Sequence, residues 1–248
     1  MKLKTFSSMQ RNVFYQSCRR FSGDGGRRAR GARNTKNFDW YQNAVERLSI
    51  RKEFEPIEMF PQALGPRVKA HLEFTVGETV LGQLVFDLCT DILPVTCKNF
   101  MLLCDGKQKY KYEGTIIHRI VKNSCIMGGD VESFDGKGGH AVLDLESKLG
   151  GRYFKDEAFV GLHNTYGILS MTNAGIDTNN SQFLITTKSQ PQLNGRNVAF
   201  GYMTSGKEVL EKITSTFTFQ QRPLTPVVLS KCRIDMSNQV LNKNLIIN

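Results

Sequence analysis

Between residues 69 and 234 the apolar side chains recur in short period-two runs separated by glycine, and this spacing restricts the fold more than any other feature of the chain. Leu72, Phe74 and Val76 alternate with polar residues, Gly77-Glu78 supplies a turn, and Leu84, Phe86 and Leu88 alternate again. Successive side chains of an extended segment point to opposite faces, so the pattern predicts a hairpin with one buried face. Further strand-like runs lie at 115–121, 167–171, 182–186, 198–202 and 227–234. Two segments carry helical signals instead. Pro94 suits the first turn of one helix, with Val95, Phe100, Leu103 and Cys104 on its expected buried side and Asp105-Gly106 at its end. A second is expected from Lys207 to about Thr214. Many short strands with two helices predict a mostly β fold, a closed barrel capped at its ends.

Charge separates the rest of the chain from this region. The formal net charge is +10, but residues 1–36 contain ten basic side chains (Lys2, Lys4, Arg11, Arg19, Arg20, Arg27, Arg28, Arg30, Arg33, Lys36) against one acid, Asp24. The remainder is close to neutral, so a basic nucleic-acid face on the folded domain is not indicated. Residues 1–36 read as a flexible basic arm or targeting segment, able to meet an anionic partner. Residues 37–68 read as a short amphipathic helix, with Trp40, Ala44, Val45 and Leu48 at helical spacing behind Asp39, followed by a linker marked by Pro56, Pro61, Gly65 and Pro66. The globular domain is expected over 69–236, with a tail at 237–248.

No apolar run approaches the ~20 residues of a membrane span. The six cysteines (Cys18, Cys89, Cys97, Cys104, Cys125, Cys232) form no CxxC pair, and the expectation is reduced thiols packed as small hydrophobes in an intracellular compartment, cytoplasmic or nuclear. Mitochondrial import is the alternative, because residues 1–21 are basic without an acid and end in Arg19-Arg20-Phe21. The four histidines (His71, His118, His140, His163) lack ligand spacing, so neither a metal nor another cofactor is expected. There is no P-loop and no GxSxG elbow.

A set of local strings does stand out, in order. Gly114, His118-Arg119-Ile120 and Gly128-Gly129-Asp130 are followed by Gly167-Ile168-Leu169-Ser170-Met171-Thr172-Asn173-Ala174-Gly175, then Thr178-Asn179-Asn180-Ser181-Gln182-Phe183-Leu184-Ile185 and Val198-Ala199-Phe200-Gly201. Together with Pro94, Thr96, Asn99 and Phe100 upstream, this resembles the cyclophilin family over about two thirds of the chain. The resemblance implies an eight-stranded antiparallel barrel with a helix over each open end, in agreement with the strand and helix pattern. It also implies rotation about X-Pro peptide bonds in proline-containing clients. That reaction has a barrier near 20 kcal/mol because amide resonance must be broken. No nucleophile is required. A guanidinium aimed at the amide nitrogen favours the twisted amide over the planar one, which is the differential binding that lowers a barrier.

By its place in the motif, Arg119 resembles that catalytic arginine. Gln182 and Asn173 stand where the family hydrogen-bonds the substrate backbone, Thr172 stands where a small residue lines the peptide groove, and His118 also matches. The pocket that should grip the proline ring departs from the family pattern. Ser124 and Cys125 replace an aromatic and a methionine wall, and Met127 replaces a glutamine that contacts substrate and supports the arginine. Leu184 stands for a second phenylalanine, Gln192 for a tryptophan and Asn197 for a histidine, while Leu193 keeps its family identity. Each lost wall forfeits on the order of 1 to 2 kcal/mol of ring contact. The segment 141–153 is longer than the corresponding family loop, with Leu143, Leu145 and Leu149 giving it apolar character.

Two functions from different classes follow from these residues. One is a peptidyl-prolyl isomerase of weakened activity, since Arg119, Asn173 and Gln182 persist. The other is a catalytically degenerate binding or scaffold protein. Without the indole at position 192, cyclosporin-type inhibitors are expected to bind weakly.

Overall fold

The computed structural model describes residues 67–143 and 151–236. The expected arm and amphipathic helix, the tail at 237–248 and the middle of the 141–153 segment lie outside the described residues.

The alternating run forms the expected hairpin, with β1 at Val68–Val76 and β2 at Thr79–Leu88. On β1 the residues Val68, Ala70, Leu72 and Phe74 are buried while their neighbours are partly exposed, the period-two signature read from the sequence. Helix α1 follows at Pro94–Asp105, with Gly106 in the left-handed conformation at its end. Its first turn has no local side-chain cap. Glu157 instead accepts from the Val95 and Thr96 amides at 3.0 and 2.8 Å and from the Thr96 hydroxyl at 2.8 Å, placing a carboxylate where the helix dipole favours one. Val95 is 39% exposed, contrary to its expected place on the buried side. The buried face consists of Thr96, Cys97, Asn99, Phe100, Leu103 and Cys104, and Val95 lies off it beside the Glu157 cap.

The remaining strands are β3 (Arg119–Val121), β4 (Cys125–Gly128), β5 (Ile168–Met171), β6 (Phe183–Thr186), β7 (Ala199–Ser205), a small hairpin of β8 (Thr218–Phe219) and β9 (Arg222–Pro223), and β10 (Val227–Asp235). Helix α2 spans Lys207–Ser215. Eight strands form one antiparallel sheet in the order β10-β1-β2-β7-β5-β6-β4-β3. The run predicted as one strand over 115–121 is divided. Only Arg119–Val121 pairs with β4, whereas the residues just before it bond to β10, through Gly114 N–H to Leu229 O (2.9 Å), Ile117 N–H to Val227 O (2.9 Å) and Leu229 N–H to Thr115 O (2.8 Å). One segment thus links the two outer strands of the sheet, and the sheet curls into a barrel.

The interior is filled from facing strands. Ile120, Ile126, Ile185 and Leu169 form one inward row across β3, β4, β6 and β5, all at most 1% exposed. Phe100 of α1 meets Tyr112, Phe200 and Phe183 at ring-centroid distances of 5.0, 5.2 and 5.9 Å. Each such fully buried ring is worth on the order of 2 to 3 kcal/mol. Helix α2 sits close on β2 because Gly82 has no side chain; a Cβ there would come within 2.7 Å of Val209.

The expectation of six reduced cysteines is corrected. Cys104 at the end of α1 and Cys232 on β10 form a disulfide with Cα atoms 5.0 Å apart. The separation of 128 residues hid this pairing from a search for local cysteine motifs. Among the described residues Cys89, Cys97 and Cys125 are free and buried. No helix of the described residues is long and apolar enough to cross a membrane.

Candidate functional site

Strand register assembles the site. In an antiparallel sheet, residues directly opposite share a face. Arg119 on β3 is opposite Met127 on β4, Met127 is opposite Leu184 on β6, and Leu184 is opposite Ser170 on β5. These four therefore form a row on the outer face of the barrel, above the inward isoleucine row. A parallel row holds Val121, Cys125 and Thr186. Exposure falls along the first row, from exposed Arg119 through half-buried Met127 to Leu184 at 2%.

Arg119 donates from Nε to Gln221 Oε1 at 2.7 Å and, among the described residues, forms no ion pair. Among the described residues, then, no carboxylate pairs with its charge. His118 beside it is buried, and burial holds its ring below the ordinary histidine pKa, so it is neutral at pH 7. Its ring packs on Gly136, where a Cβ would approach to 2.6 Å.

Gly136 belongs to a loop organised by Asp130. This carboxylate is fully buried and accepts from the amides of Glu132, Ser133, Gly136 and Gly138 and from the Ser133 hydroxyl, at 2.7 to 3.0 Å. Burial alone would raise its pKa, but these five donors prevail and hold it well below the ordinary carboxylate range. The loop in turn fixes Gln182, whose Nε2 donates to Gly136 O at 3.1 Å and Gly138 O at 2.8 Å. Those two acceptors set the amide orientation and leave Gln182 Oε1 as the atom available to a peptide N–H. Thr172 lies beside it, donating from its amide to Gln182 O at 3.0 Å. Asn173 Nδ2 donates to Arg196 O at 2.7 Å, and Asn197 Nδ2 donates to Met171 O at 2.9 Å.

Two of the positions that depart from the family pattern, Ser124 and Gln192, are linked through a third residue. Ser124 Oγ donates to Gln190 Oε1 at 2.9 Å, Gln192 Nε2 donates to the same oxygen, and Gln190 Nε2 reaches Asn123 O at 3.4 Å. Ser124 and Gln192, 68 positions apart by their numbers, are thus joined through one buried side chain. Leu193 lies in the same 3₁₀ turn, Pro191–Leu193, and its amide donates to Gln190 O at 3.0 Å. Cys125 is buried, and burial pushes its thiol pKa up, which keeps it a protonated, packed thiol.

Beneath the face, His163 is fully buried and bridges Asn194 Oδ1 at 3.1 Å and Ser170 Oγ at 2.9 Å. Asn194 Oδ1 also accepts from the His163 amide at 2.7 Å, which fixes it as an acceptor. The histidine proton is therefore on Nδ1, and Nε2 accepts from the Ser170 hydroxyl. Among the described residues no three His, Cys, Asp or Glu side chains are grouped as metal ligands.

The candidate site residues named from the sequence lie on β3, β4 or β6 or on the connections next to β3, β4, β5 and β6. Gln190, Gln221 and the Asp130 loop were not anticipated. Gln190 carries no local motif, and Gln221 falls in a turn lacking the usual glycine or asparagine.

The comparisons agree with this architecture. The family model described as cyclophilin type peptidyl-prolyl cis-trans isomerase/CLD matches residues 71–234. The chain belongs to the cyclophilin family. It is 40% identical to the NK-tumor recognition proteins of Mus musculus and Homo sapiens over 177 residues, covering 68% of this chain and 12% of theirs. It is 37% identical over 166 residues to a Bos taurus protein named probable inactive peptidyl-prolyl cis-trans isomerase-like 6, covering 64% of this chain and 52% of that one. The chain thus matches about half or less of the length of these relatives.

Proposed function

We propose that the domain binds proline-containing peptides across the row of Arg119, Met127 and Leu184 and isomerises X-Pro bonds with reduced efficiency. The observation that carries this reading is Arg119 itself, exposed on the strand face, held by a neutral amide and, among the described residues, in no ion pair. A guanidinium in that state can stabilise the lone pair of a twisted amide nitrogen. Gln182 Oε1 and Asn173 would hold the flanking backbone. The reduced efficiency follows from the pocket, where Ser124, Gln190 and Gln192 set a polar network in place of apolar walls.

That same network favours a second reading, a binding module without useful turnover. An NMR exchange or protease-coupled assay on a panel of X-Pro peptides separates the two. The isomerase reading expects measurable catalysis that falls at least tenfold in Arg119→Ala while the fold persists. Catalysis unchanged in that variant would remove the role assigned to Arg119. Weak or absent cyclosporin binding by calorimetry is expected from Gln192, and a nanomolar Kd would contradict the proposed pocket.

A further inference from the structure

Met127, directly opposite Arg119, can offer a guanidinium only a weak thioether acceptor. An exposed arginine on a three-residue strand would then have to give up its rotamer freedom with little in return. The other edge of β3 supplies what is missing. There the turn between β8 and β9 has Gln220 and Gln221 at φ 48° and 68°, both in the left-handed region. A two-residue hairpin turn of this shape is relaxed with Asn-Gly or Gly-Gly, whereas two glutamines store strain that only a compensating contact would preserve. The contact is present at two points. Gln221 O accepts from the amide of Ile120 at 2.7 Å, and Gln221 Oε1 accepts from Nε of Arg119 at 2.7 Å.

We infer that Gln221 is the positioning residue of Arg119, with its carboxamide supplying from the β8–β9 turn the support that methionine at 127 cannot give. Its main chain is anchored to Ile120, a core residue 1% exposed, so the turn is held at a fixed height against β3. Its side chain fixes Nε without neutralising the charge, which a carboxylate in the same place would do. The strained backbone and the amide side chain thus have one explanation, since glycine at 221 would relax the turn and release the arginine.

The kinetic consequence rests on the isomerase reading above; the geometric one does not. In Gln221→Gly the turn relaxes, so thermal stability is expected to hold or rise, while kcat falls about five- to tenfold with KM little changed, as for an interaction used in the transition state. Adding Met127→Gln, which places a carboxamide opposite Arg119 from the other side, is expected to recover most of that loss. A merely structural turn residue would show neither the opposed changes nor rescue from a different strand. Independently of turnover, the Arg119 Nε–H signal in ¹⁵N NMR is expected to exchange with solvent several-fold faster in Gln221→Gly and to slow again in the double variant. Equal exchange in the natural chain and Gln221→Gly would overturn the inference even if the protein is an active isomerase. Protected exchange in a natural chain without turnover would support the positioning and retire the isomerase reading instead.

Discussion

His163 is fully buried among neutral partners, and that burial has a measurable consequence for stability against pH. Burial holds its imidazole down to about 4, against an ordinary value near 6.5. As pH falls below 6.5 the unfolded chain takes up a proton that the folded chain refuses until about pH 4, so stability is lost across that window. At about 1.4 kcal/mol per pH unit the loss from this group is on the order of 3 kcal/mol. His118, also held down by burial, adds a loss of the same sign. Asp130 acts elsewhere: its lowered pKa gives stability that is present above its unfolded value and disappears only as pH falls below about 4. His163→Gln should therefore flatten the dependence of Tm on pH between 6.5 and 4. Identical slopes in the two proteins would contradict the assigned burial. In the sequence this histidine could be read only as lacking metal spacing, because its partners Asn194 and Ser170 are brought to it by folding.

At the scale of elements, the β1–β2 hairpin and α1 were legible because one buried face imposes a period on the sequence. β4 was not. Cys125-Ile126-Met127-Gly128 buries residues on both faces and so has no alternation to read. The β8–β9 hairpin was missed as well, since Gln220-Gln221 is a costly turn pair and the flanking Phe217, Phe219 and Leu224 are exposed rather than alternately buried. The Cys104–Cys232 disulfide ties the end of α1 to β10, closing a long loop. In the chain-entropy account such a link contributes about 2 to 5 kcal/mol. Denaturant unfolding with and without a strong reductant is expected to differ by that amount. Equal midpoints, with complete reduction verified by thiol counting, would contradict it.

For the whole molecule, the family motifs implied the barrel that the fold shows, whereas the contacts among the substituted positions depended on side chains distant in sequence. Substituted positions such as Ser124 and Gln192 read individually as losses. In the fold they are joined through Gln190 into one hydrogen-bonded wall. On the proposed function, Arg119, Asn173 and Gln182 are competent and the hydrogen-bonded wall limits turnover. The most direct test of that claim is the variant Ser124→Phe, Cys125→Met, Met127→Gln and Leu184→Phe, in which Gln192 still satisfies Gln190 Oε1. Cys125 and Leu184 are 3% and 2% exposed, so the four changes should be made together, because single ones would overpack the site or act non-additively. Measured on an Ala-Pro peptide, kcat/KM is expected to rise at least tenfold over the natural sequence. A folded quadruple variant with no gain would contradict the claim and leave the binding-module reading in its place.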